Sequence, residues 1–230
     1  MGQLLSNLTS GSLVKLAENT QAKKFIKLDN DHYGTGTGVT LIREKCFAQT
    51  AWNAASSQYN VFIGCTLDNI CDNYPLKLDK EIQDCIIPVP IVVAEGNGVS
   101  TLHTIYRKAF PLSCTEAGVS GWQTEGTAFS YFNSNARRIG YLDDTTTAVY
   151  WGLRSPFSDA NRAYYINTVG SVSYNSVSFP NFAARPAFNL KSSIVVSDNQ
   201  DGDGCYTIES VPGKTGGLYV KNNGVWVQAA

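Results

Sequence analysis

Two short blocks constrain this chain more than anything else in it: Trp151-Gly-Leu-Arg-Ser-Pro156 and its echo Arg185-Pro-Ala-Phe-Asn-Leu190. Each sets an arginine and a proline in an apolar run. With the residues before it, Ala148-Val-Tyr-Trp-Gly-Leu153 is apolar on both faces of an extended chain, which predicts a central, buried strand. Inside such blocks Arg154 and Arg185 are expected to be structural, because a guanidinium can satisfy several loop carbonyls at once. Between the blocks, residues 157–184 carry very little charge and many Tyr, Asn, Ser and Phe. Rigid ends around an adaptable polar-aromatic insert are the design of a displayed recognition surface.

The composition agrees with loop-rich β structure. Charged residues make up 16% of 230, well below the usual quarter, and Gly, Ser, Thr, Asn and Tyr fill the deficit. Helical bundles need more Glu, Lys and Ala. The net charge of −1 gives no attraction to nucleic acid or to an anionic membrane. No stretch is long enough to span a bilayer, and the first residues lack the pattern of a signal peptide. A Met1-Gly2…Ser6 match to a myristoylation pattern is too short to carry weight. Cys46, Cys65, Cys71, Cys85, Cys114 and Cys205 form no CxxC pair, and two His residues give no zinc spacing. They are expected to be reduced and packed.

Along the chain, Ser12-Leu-Val-Lys-Leu16 and Lys24-Phe-Ile-Lys-Leu28 form a hairpin around Glu18-Asn19, and Val39-Thr-Leu-Ile-Arg43 resumes as a strand. The glycine-rich loop before it is no phosphate loop, since no Gly-Lys-Ser/Thr follows. Helical spacing runs from Asn60 to Tyr74 and ends at Pro75. A second short helix is expected from Asp79 to Ile87, with Asp79 as N-cap. Ile91-Val-Val93 is a strand, Gly96-Asn-Gly98 a turn, and Arg107-Lys-Ala-Phe-Pro-Leu112 an extended piece. Residues 127–138 hold a short helix packing Phe129, Tyr131 and Phe132. Ala163-Tyr-Tyr-Ile-Asn167 and Ser171-Val-Ser-Tyr174 pair around Gly170 as a second hairpin. From about Asp198 small strands with tight turns follow, so the division expected is a main domain over 1–197 and a β appendage or linker over 198–230.

Five ordered blocks carry a resemblance: Thr50-Ala-Trp-Asn53, Arg107-Lys-Ala-Phe-Pro-Leu-Ser-Cys-Thr-Glu116, Tyr131-Phe-Asn-Ser134 with Arg137-Arg-Ile139, and the two Arg-Pro blocks. Together they resemble a family of uncharacterised bacterial and phage domains with a WxLRSP…RPAF signature, over roughly residues 10–200. Tyr150 and Gly152 depart from that pattern, where Trp is common. The resemblance implies an α+β, C-type-lectin-like fold, akin to that of formylglycine-generating enzymes and phage tropism determinants. Small helices would surround twisted antiparallel sheets. It further implies a phage or prophage structural protein, a tail or fibre adhesin located in the virion, and the segment 218–226 is similar to the closing segment of phage fibre proteins. Residues 157–184 look like a variable region diversified by a retroelement.

The ligand-binding set expected on this surface is Asp159, Asn161, Tyr165, Asn167, Ser171, Ser173, Tyr174, Asn175, Ser176, Ser178, Phe179, Asn181 and Phe182, with Val169, Val172 and Val177 as inward anchors. A hairpin with one solvated face shows the same alternation; the near absence of charge and the family context favour binding. The partners expected are a host-surface protein or glycan, other virion proteins and further copies of the chain, without nucleic acid or membrane insertion. No cofactor, metal or catalytic group is expected. Asn199-Gln-Asp-Gly-Asp-Gly204 nearly fits a calcium loop, but the twelfth position is Ser210 rather than Glu, so a turn is the better reading. A Cys114–His103 nucleophile pair and a Glu116–Glu125 carboxylate pair both read better as a buried thiol and as solvated or structural acids. The alternatives are a structural virion subunit that uses the same face for oligomerisation, and an enzyme on this fold.

Overall fold

The computed structural model describes residues 2–143, 145–213, 218–222 and 224–229. The protein is mostly β and loop-rich, with short helices. The chain forms two compact units: residues 1–43, 74–89 and 188–230, and residues 44–73 and 90–187.

In the first unit, the strands Leu13–Glu18 and Gln21–Asn30 make the expected hairpin. Its two-residue turn uses Asn19 and Thr20, both at positive φ, the geometry that follows the natural twist of paired strands. Val39–Arg43 adds antiparallel to it. On the other side Cys205–Pro212 runs parallel to Leu13–Glu18 and antiparallel to Val195–Val196. The segment after residue 198 therefore contributes a strand between two others of this sheet. The strands Leu218–Asn222 and Val225–Gln228 continue from it as a terminal hairpin. Phe25, Tyr74 and Phe188 cluster in the core, with Phe25 and Phe188 edge to face at 5.5 Å. One buried ion pair sits there: Arg43 Nε donates to Glu18 Oε2 at 2.8 Å, and the Tyr74 hydroxyl donates to the same oxygen at 2.6 Å.

The second expected helix shrinks to Lys80–Gln83, and Ile86–Ile87 becomes a strand paired with Ala187–Leu190. Asp79 holds the N-cap position, but its side chain makes no capping bond.

In the second unit one sheet runs in the order Val172–Ser176, Arg162–Ile166, Trp151–Pro156, Phe182–Ala184, Ala48–Thr50. Every residue of Trp151–Pro156 is buried, but the single strand expected over residues 148–153 is split: Ala148–Val149 pairs instead with Gly140–Tyr141, and Ala148 and Tyr150 are only half-buried. Gly152 belongs there for a steric reason: a Cβ would lie 2.8 Å from Leu67 Cδ2, with Trp52 and Phe182 also close. The helix carrying Leu67 is Thr66–Asp72, shorter than the expected span from Asn60 to Tyr74. Residues 60–65 are held otherwise, because Gly64 adopts positive φ and Asn60 is buried with its side chain committed to other loops. The strands Val89–Gly96 and Val99–Arg107 form a two-stranded ribbon around Asn97-Gly98. The strand Val99–Arg107 is a correction to the sequence reading, which placed an extended piece only from Arg107; its nearly uniform exposure gives no hydrophobic alternation to read.

Among the described residues, no helix is long and apolar enough to cross a membrane. All six cysteines are buried as thiols, and burial pushes Cys65 up to about 12 and Cys114 well above its ordinary value.

Candidate binding surface

The insert between the two blocks is built on buried arginines. Arg154 is wholly buried and grips Glu116 with both terminal nitrogens, each at 2.6 Å. Its Nε donates to the Val92 carbonyl at 2.9 Å, and Nη1 donates to the Pro111 carbonyl at 3.1 Å. That set of bonds uses the guanidinium's fork geometry, which lysine lacks. Arg185 is also buried, its guanidinium 5.1 Å from the Trp151 ring and 5.9 Å from that of Phe132. Both arginines are structural, as their apolar surroundings predict.

A third arginine, which the sequence reading quoted only as part of the Arg137-Arg-Ile139 block and gave no role, fixes the insert's tip. Arg138 donates through Nε to the Gly170 carbonyl at 3.0 Å and through Nη2 to Asn135 Oδ1 at 2.7 Å. Its own carbonyl accepts from Trp151 Nε1 at 2.8 Å. Gly170 sits at φ +79°, and a Cβ there would lie 2.0 Å from the Asn135 carbonyl oxygen. Glycine is therefore required at this turn. Asn60 does the same work at the insert's base. Its Nδ2 lies 2.9, 2.6 and 2.7 Å from the carbonyls of Phe157, Asp159 and Arg162. Its Oδ1 accepts from Asn97 N. Nothing in the periodicity around Asn60 signals this role.

On that frame Arg162–Ile166 and Val172–Ser176 pair in register, with Tyr164 opposite Tyr174 and Tyr165 opposite Ser173. Side chains alternate between two faces. On one, the Arg162 guanidinium lies 4.4 Å from the Phe157 ring and 4.6 Å from Tyr174, within cation–π reach of both. Phe157 and Tyr174 are 4.0 Å apart, and Asp159 pairs with Arg162. On the other, Tyr165 meets Tyr150 at 5.2 Å and Phe182 at 5.4 Å, and Phe179 meets Phe182 at 5.5 Å.

The thirteen expected ligand residues sort unevenly on this geometry. Asn161, Tyr174, Ser178 and Asn181 are exposed. Tyr165, Ser171, Ser173, Asn175, Ser176 and Phe179 are half-buried. Asp159 and Asn167 are half-buried with their carboxylate and amide oxygens committed: Asp159 to Arg162 and to the amides of 161 and 162, Asn167 to the amides of Val169 and Ser171. Phe182 is 0% exposed and belongs to the scaffold; the reason is that its strand lies inside the sheet beside Trp151–Pro156. Val169 is corrected the other way, being 63% exposed at the turn rather than an inward anchor. Val177 is buried as expected and Val172 is half-buried. Phe157, Tyr164 and Arg162 join the surface.

Of the residues weighed for chemistry, Cys114 and His103 lie in different surroundings, whereas Glu116 and Glu125 come together around Arg154. Cys114 is buried, whereas His103 is exposed and bonds Glu95 at 3.3 Å. Glu116 and Glu125 are both buried rather than solvated; Glu125 Oε1 accepts from Ala94 N at 2.8 Å, and burial raises its carboxyl above the ordinary value. In the loop once weighed for calcium, Asp201 and Asp203 both bind the Lys15 ammonium, and Asp201 Oδ1 accepts the amides of Asp203 and Cys205.

A family model described as a domain of unknown function (DUF6273) matches residues 37–192, a span that holds both Arg-Pro blocks and the insert. No curated protein and no solved structure matches the chain.

Proposed function

The chain belongs to the DUF6273 family, a domain of unknown function, and from its geometry we propose a non-enzymatic binding module that presents residues 157–181 to a receptor, a protein or glycan of a host surface. One observation carries this reading. Within a single sheet, Trp151–Pro156 is buried at every residue, while the edge strand Val172–Ser176 has no buried residue and presents Tyr174 at 44% exposure. A stiff floor thus supports a wet, aromatic, hydrogen-bonding rim, the division of labour that suits recognition.

The finer parts of the proposal are a C-type-lectin-like arrangement and a phage or prophage tail or fibre setting. They are supported by the ordered sequence blocks and by the insert's Tyr, Ser and Asn content. The test is attachment of the labelled protein to host-cell envelopes. Joint substitution of Tyr165, Tyr174 and Phe179 by Ala is expected to abolish attachment while the melting temperature of the scaffold persists. Attachment that survives sinks the reading.

A second reading has its own support. The strand Val172–Ser176 ends its sheet, and an edge strand can pair with another copy. A stable oligomer in solution that protects Tyr174 would favour a structural subunit over a receptor binder.

A further inference from the structure

The first compact unit holds a cavity of about 450 Å³ that the insert does not touch. That volume lies in the range of small-ligand sites. Trp226 lines it, and small residues (Ala17, Ala22 and Gly224) leave the room. Most of this lining lies outside residues 37–192, so the cavity is a feature of this chain beyond the family-matched span.

The indole is held in place. Trp226 Nε1 and Lys221 Nζ both donate to Asp79 Oδ2, at 3.2 and 3.3 Å. Lys221 is the cross-strand neighbour of Trp226 and lies 5.2 Å from its ring. Asp79 stands at a helix N-cap yet makes no capping bond, so its carboxylate is committed to the cavity wall instead. The second ammonium on the lining, Lys15, is bound to Asp201 and Asp203. Both lysines at the cavity are therefore matched by carboxylates, and an anionic ligand gains little there.

We propose that this cavity is a subsite for a neutral saccharide ring. The apolar C–H face of a pyranose stacks on the indole, which offers a large rigid surface. Its hydroxyls both donate and accept, and so use the Asp79 carboxylate, the Lys221 ammonium and the Thr20 and Thr207 hydroxyls that share the lining. The proposal is independent of the insert as a recognition surface, since none of these residues lies in 157–181.

The test is saturation-transfer NMR on the full chain with glucose, galactose, mannose and N-acetylglucosamine, and with adenosine and inorganic phosphate as controls. Saturable binding of at least one sugar is expected. Trp226→Ala and the cavity-filling Ala22→Leu should each weaken it by about tenfold or more, equivalent to about 1.4 kcal/mol. Ala22 is exposed on a hairpin strand, so Ala22→Leu keeps the test valid if Trp226→Ala disturbs the terminal hairpin. Leu102→Ser, on the exposed strand Val99–Arg107, should leave sugar binding unchanged. Absence of sugar binding overturns the proposal. So does binding of phosphate or adenosine alone, or sugar binding indifferent to both cavity variants.

Discussion

The strands Trp151–Pro156 and Val172–Ser176 belong to one sheet and lie two positions apart in its order, yet they answer to different pressures. The first is buried at all six residues and carries a buried arginine whose every direction is bonded or packed. The second is half-buried or exposed throughout and, among the described residues, has no strand on its outer side. In the first, any change alters packing or leaves a charge without its partner. In the second, a change alters a few ring contacts at the surface and otherwise exchanges one set of water contacts for another. The difference shows where this fold admits variation without losing its frame: stability resides in the floor, and contact chemistry is open at the rim.

The comparison is broken most severely at Arg154. Substitution Arg154→Met leaves Glu116 buried without its cation and deprives the Val92 and Pro111 carbonyls of donors. The expected loss is about 3–5 kcal/mol, read by denaturant unfolding. A double variant, Arg154→Met with Glu116→Leu, should lose less than Arg154→Met alone, because the Glu116 carboxylate is no longer buried without its cation. A double variant at least as damaged as the single one would show that the ion pair is not the source of the loss.

Next comes the junction between floor and rim. Gly170→Ala forces a Cβ to within 2.0 Å of the Asn135 carbonyl oxygen at a positive φ. The expected cost is about 1–3 kcal/mol, with faster amide exchange confined to the Arg162–Ile166 and Val172–Ser176 hairpin. A uniform loss over the whole sheet would place Gly170 in the floor instead.

The floor also has a pH signature. Burial, opposed by Arg154, raises the folded carboxyl of Glu125 above its ordinary 4.5. The folded state therefore keeps a proton that the unfolded chain releases, and stability falls as pH rises from about 4.5 to the folded value, then levels. Glu125→Gln keeps the acceptor for Ala94 N and removes the titration. Its stability relative to the native protein should rise across that window, with a slope of at most about 1.4 kcal/mol per pH unit. Identical pH profiles would contradict the burial effect. No rim substitution is expected to change the profile.

Parts of this contrast were legible in the sequence. The apolar run 148–153 pointed to a buried strand, and its second half, Trp151-Gly-Leu153, enters one; its first half pairs elsewhere, with Gly140–Tyr141, which an apolar run alone does not reveal. The hairpin around Gly170 was legible for the same local reason, alternation with a glycine at the turn. Phe182 and Val169 were misplaced because an aromatic beside polar residues and a valine in a repeat say nothing of which strand neighbours them. The roles of Asn60 and Arg138 were invisible, since both bond carbonyls far away in sequence. The parallel pairing of Cys205–Pro212 with Leu13–Glu18, and the cavity around Trp226, depend on partners nearly the whole chain apart.

The smallest expected effect is at the rim itself and decides most about it. Tyr174 is 44% exposed, pairs across the ladder with Tyr164, and lies beside Phe157 and Arg162. Tyr174→Ser removes one exposed cation–π contact and two ring contacts, with Phe157 and Tyr164; each is worth about 0.5 kcal/mol where the rings stay partly in water, and a serine fits an edge position. The expected loss of stability is about 1 kcal/mol, and for Asn161→Ala or Ser178→Ala it stays within about 0.5 kcal/mol. Attachment, by contrast, should fall markedly for Tyr174→Ser, because an aromatic ring half in water contributes to a partner's desolvated contact what it cannot contribute to the fold. If Tyr174→Ser unfolds the hairpin as Gly170→Ala does, the ring cluster is part of the floor. The recognition surface then contracts to Asn161, Ser178 and Asn181.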